Sequence, residues 1–252
     1  MKPGPSGSAA DPTPADSGKR AGVWPALHWY CLGAWLTLAV YLADLYRLDP
    51  DRNLAGYMAE GGPFQNLQLM LLGWALLLCL WGAWRLEHTI RRVTFFWLGP
   101  LFYLFWREAD WDKDVFSAWF GLERGVRMFS WRYLWNGGEL PWLLRVIWGA
   151  VSLGMVAVWV YGCWRARAVW PLFLRMLRSP PVVFWLGLTL FILIAAQAVE
   201  RLGLAPASVP GVRDPYSEEA PELLGEFALL CSVIHFIEQA RALPRANEAS
   251  IA

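Results

Sequence analysis

The sequence has few of the residues that build most metal and redox centres. It contains three histidines and four cysteines in 252 residues, and no Cys-x-x-Cys pair. All four cysteines fall within or at the ends of apolar segments, as small buried side chains usually do. This usage predicts packing cysteines and gives no indication of a thiol-based redox motif or a zinc finger.

Charged residues are also scarce, at 17% of the chain against 57% hydrophobic residues. A hydrocarbon core of ~30 Å requires about 20 apolar residues in a helix. Five of six apolar segments meet or approach that length, so the fold class is predicted to be all-α and polytopic, with six transmembrane helices. The segments are 24–43, 64–84, 94–106, 142–164, 182–199 and 223–240. Many of the 18 tryptophans lie near segment ends, where aromatic rings meet lipid headgroups.

Positive charge outside the segments is sorted into alternate loops. The two tails and the second and fourth loops hold twelve Lys and Arg against four acids. The first, third and fifth loops hold nine Lys and Arg against an excess of acids. Because Lys and Arg resist translocation, the basic side marks the cytoplasm. The pattern predicts a multi-pass protein of the inner (cytoplasmic) membrane with both termini cytoplasmic. The lipid bilayer is its predicted partner, and no nucleic-acid partner is expected.

Three regions flank or interrupt the spans. Residues 1–23 are rich in Pro, Gly, Ser and Ala and are predicted to be a disordered cytoplasmic tail. Residues 24–241 form the predicted six-helix transmembrane domain, and 242–252 a second cytoplasmic tail. In the third loop, apolar residues recur at helical spacing and predict one amphipathic helix lying in the outer interface. They are Val115, Trp119, Leu122, Val126, Phe129 and Tyr133.

The third segment is too short to cross a bilayer alone and is followed by a charged run. Thirteen residues give about 20 Å of helix, so the helix is expected to continue through Arg107 and Glu108 toward Asp114. Charges at such depth usually face a polar cavity or pair with one another. A solvated helix end with internal ion pairs is an equally acceptable interpretation of this run.

Acids from three distant segments fall at the same outer level. Glu60 precedes the second segment, with Gln65 on its first turn, and Glu226 lies one turn inside the sixth. The candidate site comprises Glu60, Arg107, Glu108, Asp110, Asp112, Glu219, Glu222 and Glu226. Carboxylates alone suit a hard divalent cation such as Ca²⁺ or Mg²⁺, and no other cofactor is identified. Because the histidines lie toward the cytoplasm, they are not expected to join the acids.

Short motifs at these positions carry a resemblance. They are Glu60-Gly61-Gly62-Pro63, the run from Arg107 to Lys113, and Glu218-Glu219-Ala220-Pro221-Glu222-Leu223. The arrangement resembles a group of bacterial multi-pass inner-membrane proteins of no known activity. The resemblance implies a membrane fold and adds no reaction or ligand.

Three functions are compatible with this pattern. The favoured one is binding or transport of a cation or a lipid headgroup at the outer acidic site. A membrane-embedded, metal-dependent hydrolase or transferase acting on a lipid would use Glu108, Asp112 or Glu226 as general base or ligand. A structural subunit would pair these charges with a partner in a homo- or hetero-oligomer. Few hydroxyl or imidazole groups lie near the acids, and few polar residues lie at depth.

Overall fold

The computed structural model describes residues 23–48, 62–86, 88–109, 142–202 and 215–242, and apart from caps and short turns these residues are helical. Each of the six apolar segments lies inside a helix, so the all-α prediction is confirmed. The helices are α1 (Val23–Leu48), α2 (Pro63–Arg85), α3 (His88–Ala109), α4 (Trp142–Arg165), a 3₁₀ turn (Arg167–Val169), α5 (Trp170–Leu177), α6 (Pro180–Leu202) and α7 (Pro215–Ala242). Apart from border residues, the predicted tails and the interfacial helix lie outside the described residues.

Several of these helices are suited to a bilayer. Within the described part of the chain, three are long and apolar enough to cross it: Ala26–Leu45, Pro63–Arg85 and Glu219–Arg241. A fourth span results if Arg167–Leu177 and Pro180–Ala196, bent by 84° at their junction, count together. Large apolar side chains on α4 are widely exposed, including Leu153, Val158 and Tyr161. A soluble protein rarely exposes so much apolar surface, whereas lipid tails cover it without cost. The chain is therefore a membrane protein.

Helix α7 lies at the centre of the packing. It contacts α6, α2 and α1, and most of its apolar stretch is buried. The cores of α2, α3 and α7 meet in one apolar cluster that includes Leu72, Cys79, Val93 and Phe236. Helix α1 lies at the edge, with most of its apolar stretch exposed. The central position of α7 places its charged N-terminal turns against neighbouring helices.

Helix α3 extends beyond the predicted segment at both ends, through Arg107 and Glu108 as expected and also at its start. At the end of α2, the backbone N–H of Leu86 donates to the Gly82 carbonyl. Helix α3 begins two residues after Leu86, at His88. Its 22 residues give about 33 Å of helix, enough for a hydrocarbon core. Arg91 and Arg92, expected in a loop, therefore lie within the first turns of the helix, and the helix reaches Ala109 at its other end.

A short helix, α5, fills part of the fourth loop and was not expected. Phe173 and Met176 are buried on its inner face, together with Val169 of the preceding 3₁₀ turn, at a spacing of four and three residues. This face packs against α3, α6 and α7. The same spacing is readable in the sequence, but the segment is too short and too close to arginines to register as a span.

Candidate functional site at the acidic end of the bundle

The carboxyl end of α3 and the amino ends of α2 and α7 meet at one end of the bundle. The Gln65 side-chain amide on the first turn of α2 donates a hydrogen bond of 2.9 Å to the backbone carbonyl of Glu108. This bond ties the end of α3 to the start of α2, two elements that antiparallel packing already brings together. The Glu108 side chain is thereby held next to the N-terminal turns of α7.

Three carboxylates converge at this point. Oxygen atoms of Glu108, Glu219 and Glu222 all lie within 4.8 Å of one another, and each side chain is half-buried. Glu219 and Glu222 are three residues apart on α7 and share one face, whereas Glu108 reaches them from α3. Like charges at this spacing repel, so the arrangement suits a cation between them.

Glu226 lies one turn deeper on α7 and is only 8% exposed. Its Oε2 atom is buried and has no hydrogen-bond partner among the described residues. The side chain interacts electrostatically with Glu108, Glu222 and Glu219. A buried carboxylate without a partner is costly. Glu226 therefore adds an unsatisfied acceptor at the inner side of the three carboxylates.

The turns of α7 next to Glu226 also pack against apolar side chains and α1. Leu42, Leu71 and Leu223 form a buried cluster at this level. The indole N–H of Trp35 on α1 donates to the Leu224 carbonyl of α7 at 3.0 Å, between the levels of Glu222 and Glu226. These contacts hold the turn of α7 that carries the acids. They also lower the local dielectric constant beside the carboxylates, and this strengthens charge interactions there.

The depth of Arg107 at the end of α3 and its planar guanidinium make it a candidate partner of Glu226. Its side chain is exposed, and its charge interacts favourably with Glu226. Because the buried Oε2 has no hydrogen-bond partner among the described residues, Arg107 does not bond to that atom. The guanidinium partly compensates the acidic cluster from outside.

The other predicted site residues are not tested. Glu60, Asp110 and Asp112 lie outside the described residues. Of the candidate set, the structure brings together Glu108, Glu219, Glu222 and Glu226, and places Arg107 beside them.

A second polar group, deep in the bundle, was missed by the sequence reasoning. Cys31 on α1 contacts Cys231 and His235 on α7, and the rings of His28 and His235 lie 5.7 Å apart. His235 is fully buried, with both ring nitrogens lacking hydrogen-bond partners in the described part of the chain. The signal was the spacing, since His28 and Cys31 share one helix face and Cys231 and His235 another.

Comparison of the chain with protein-family models, with curated proteins and with solved structures finds no match. The resemblance to a group of inner-membrane proteins therefore stays an expectation, and the function has to be argued from the site.

Proposed function

We propose that this protein binds a hard divalent cation at the acidic end of its helix bundle. The observation that carries the proposal is the convergence of Glu108, Glu219 and Glu222 within 4.8 Å above the buried, unpartnered oxygen of Glu226. Three oxygen ligands from two helices, with a fourth acceptor one turn deeper, match the preference of Ca²⁺ and Mg²⁺ for carboxylate oxygen. A bound cation also removes the repulsion among the acids.

Binding is favoured over transport by the direction of polar groups on α7. At 3.6 residues per turn, Ser232 lies about 120° and His235 about 180° around the helix axis from Glu226. The acidic face of α7 therefore does not continue inward as a row of polar side chains. A transported cation requires such a row, because bare ions are costly in hydrocarbon.

Lipid hydrolysis or transfer is less favoured for a similar reason. His235 lies nine residues along α7 from Glu226, about 13 Å. It packs instead with His28 and Cys31. A nucleophile or acid–base partner has to lie within hydrogen-bond reach of its catalytic carboxylate, and this histidine does not.

The site belongs to a six-span, inner-membrane architecture in our proposal. Helices α3, α4 and α6 have 22, 24 and 23 residues, each about 33 Å or longer. Added to α1, α2 and α7, they make six spans with both termini on the basic, cytoplasmic side. The acids then face the outside, where Ca²⁺ and Mg²⁺ are available.

The test is a cation titration of the purified protein in detergent after chelation. Ca²⁺ or Mg²⁺ should raise the thermal midpoint, since a ligand that binds only the folded state stabilises it. Glu222→Gln should weaken this response at least about tenfold in apparent affinity, equivalent to about 1.4 kcal/mol.

The matched control is Glu238→Gln, at the other end of the same helix, where Glu238 pairs with Arg241. It should leave the cation response unchanged. An unliganded midpoint close to wild type shows that Glu222→Gln folds. No stabilisation of wild type by either cation, or equal responses of the two variants, would overturn the proposal.

A further inference from the structure

The opposite end of the bundle contains a cavity of about 490 Å³ walled by arginines. Arg91 and Arg92 reach it from the first turns of α3, Arg165 from the last turn of α4, and Arg167 from the 3₁₀ turn that follows. Phe95, Gly162, Trp164 and Ala166 complete the wall. None of these described lining residues is acidic. Its volume is within the range of ordinary small-molecule sites.

Two of the arginines are held by neighbouring groups. The Arg91 guanidinium donates to the Trp84 carbonyl at the end of α2, at 3.2 Å. The Arg167 guanidinium lies over the Trp164 ring, 4.9 Å from its centre. Such contacts reduce the freedom of long side chains, so less entropy is lost when a ligand binds. The arginines are therefore positioned around a space and are not merely spread over a surface.

The chemistry of the wall selects the ligand. Planar guanidinium groups bind phosphate oxygens with paired hydrogen bonds, and several of them match an anion of more than one charge. The apolar side chains of α4 next to the cavity, among them Val158 and Tyr161, are widely exposed. They would lie against acyl chains while the arginines hold a headgroup.

We propose that this cavity binds the phosphate groups of an anionic ligand, supplied by a phospholipid headgroup or by a soluble organic phosphate. The site is separate from the acidic one. Arg91 and Glu108 are 17 residues apart on α3, which corresponds to about 26 Å. Basic pockets between helices on the cytoplasmic side are suited to anionic headgroups.

The alternative to a binding site is a general positive surface charge, because arginines are enriched on the cytoplasmic side of membrane proteins. The same stretch provides a matched control for this. Arg175 and Arg178 are exposed like Arg165 and Arg167, but they do not line the cavity. Removing either pair subtracts two charges from the same side, so only a built site distinguishes the pairs.

The experiment measures binding of phosphatidylglycerol and cardiolipin by the detergent-purified protein, with phosphatidylcholine as the uncharged reference. Arg165→Gln with Arg167→Gln should weaken anionic-lipid binding at least about tenfold, and Arg175→Gln with Arg178→Gln less than about threefold. Inorganic pyrophosphate distinguishes the sources: pyrophosphate binding at least as tight as that of the lipids indicates a soluble phosphate ligand, and binding at least about tenfold weaker than that of the lipids indicates a headgroup. Equal losses in the two double variants would overturn the proposal.

A second measurement requires no variant and guards against misfolding. An arginine-selective reagent such as phenylglyoxal should modify Arg165 and Arg167 more slowly when cardiolipin is bound. The rates of modification of Arg175 and Arg178 should not change. Uniform protection of all four would contradict a site. Glu222→Gln should keep lipid binding intact, so failure of the cation site and failure of this site are separable.

Discussion

Charged side chains cluster at both ends of the helix bundle, and the two clusters differ in sign, in burial and in how closely the charges approach one another. At the acidic end, carboxylates of Glu108, Glu219 and Glu222 crowd within 4.8 Å, and Glu226 is buried beneath them. At the basic end, four exposed arginines surround an open cavity. Helix α3 contributes to both, with Arg91 in its first turn and Glu108 in its last.

The difference shows which end requires a partner to be stable. Exposed guanidinium groups remain hydrated, so the basic end tolerates an empty cavity at little cost. The Glu226 carboxylate is buried next to three others and its Oε2 atom has no hydrogen-bond partner among the described residues. Such groups usually acquire a cation or a proton. The acidic end should therefore respond more strongly to its ligand than the basic end does.

The largest effect is expected from the sidedness of the two ends, because a reporter fusion gives an all-or-none signal. Reporters placed after Arg92 and after Arg178 should be cytoplasmic, and reporters near Gly138 and Pro210 should be outside, as the loop charges require. Enzymatic reporters active on only one side of the membrane measure this. A cytoplasmic signal from Gly138 would contradict the six-span arrangement and remove the opposition of an outer acidic end to an inner basic end.

A smaller effect is expected from adding a side chain at Gly162, where α4 lies close to Phe95 of α3 in the wall of the basic cavity. A Cβ atom on Gly162 would lie 2.2 Å from the Phe95 ring, so Gly162→Ala forces that ring out of the cavity wall. The free energy of unfolding should fall by about 1–3 kcal/mol. Thermal denaturation in detergent measures the loss, together with weaker anionic-lipid binding.

The control is Gly154→Ala on the same helix, where a Cβ meets nothing within 4 Å. Because alanine favours helix over glycine, this change should be neutral or stabilising by up to about 1 kcal/mol. Equal stabilities of the two variants would mean that α3 and α4 do not approach at Gly162.

The smallest effect is expected between Arg107 and Glu226. Since Arg107 is exposed and does not bond to the buried oxygen, a double-mutant cycle of Arg107→Ala and Glu226→Gln should give a coupling below about 1 kcal/mol. Thermal stability without added cation is the measurement. A coupling of about 3–5 kcal/mol, typical of a broken buried pair, would show that the two side chains meet directly.

The site was predictable as a list of residues and not as a geometry. The level of Glu108, Glu219, Glu222 and Glu226 along their helices follows from counting residues inward from the span ends. Whether the helices are rotated so that these side chains face one another does not, because rotation depends on how α3 and α7 pack. The Gln65 bond to the Glu108 carbonyl and the contact of Cys31 with Cys231 are likewise products of packing.

Local properties of the sequence determined the helices, the membrane class and the alternation of charge between the ends, since hydropathy and helix length act residue by residue. Tertiary structure alone decided that α3 begins at His88, that α5 forms beside it, and that four arginines enclose a cavity. The local sequence of a segment does not specify which distant segments will pack against it. The charges that converge in this protein belong to helices far apart in sequence, and only their packing brings them within reach of a single ligand.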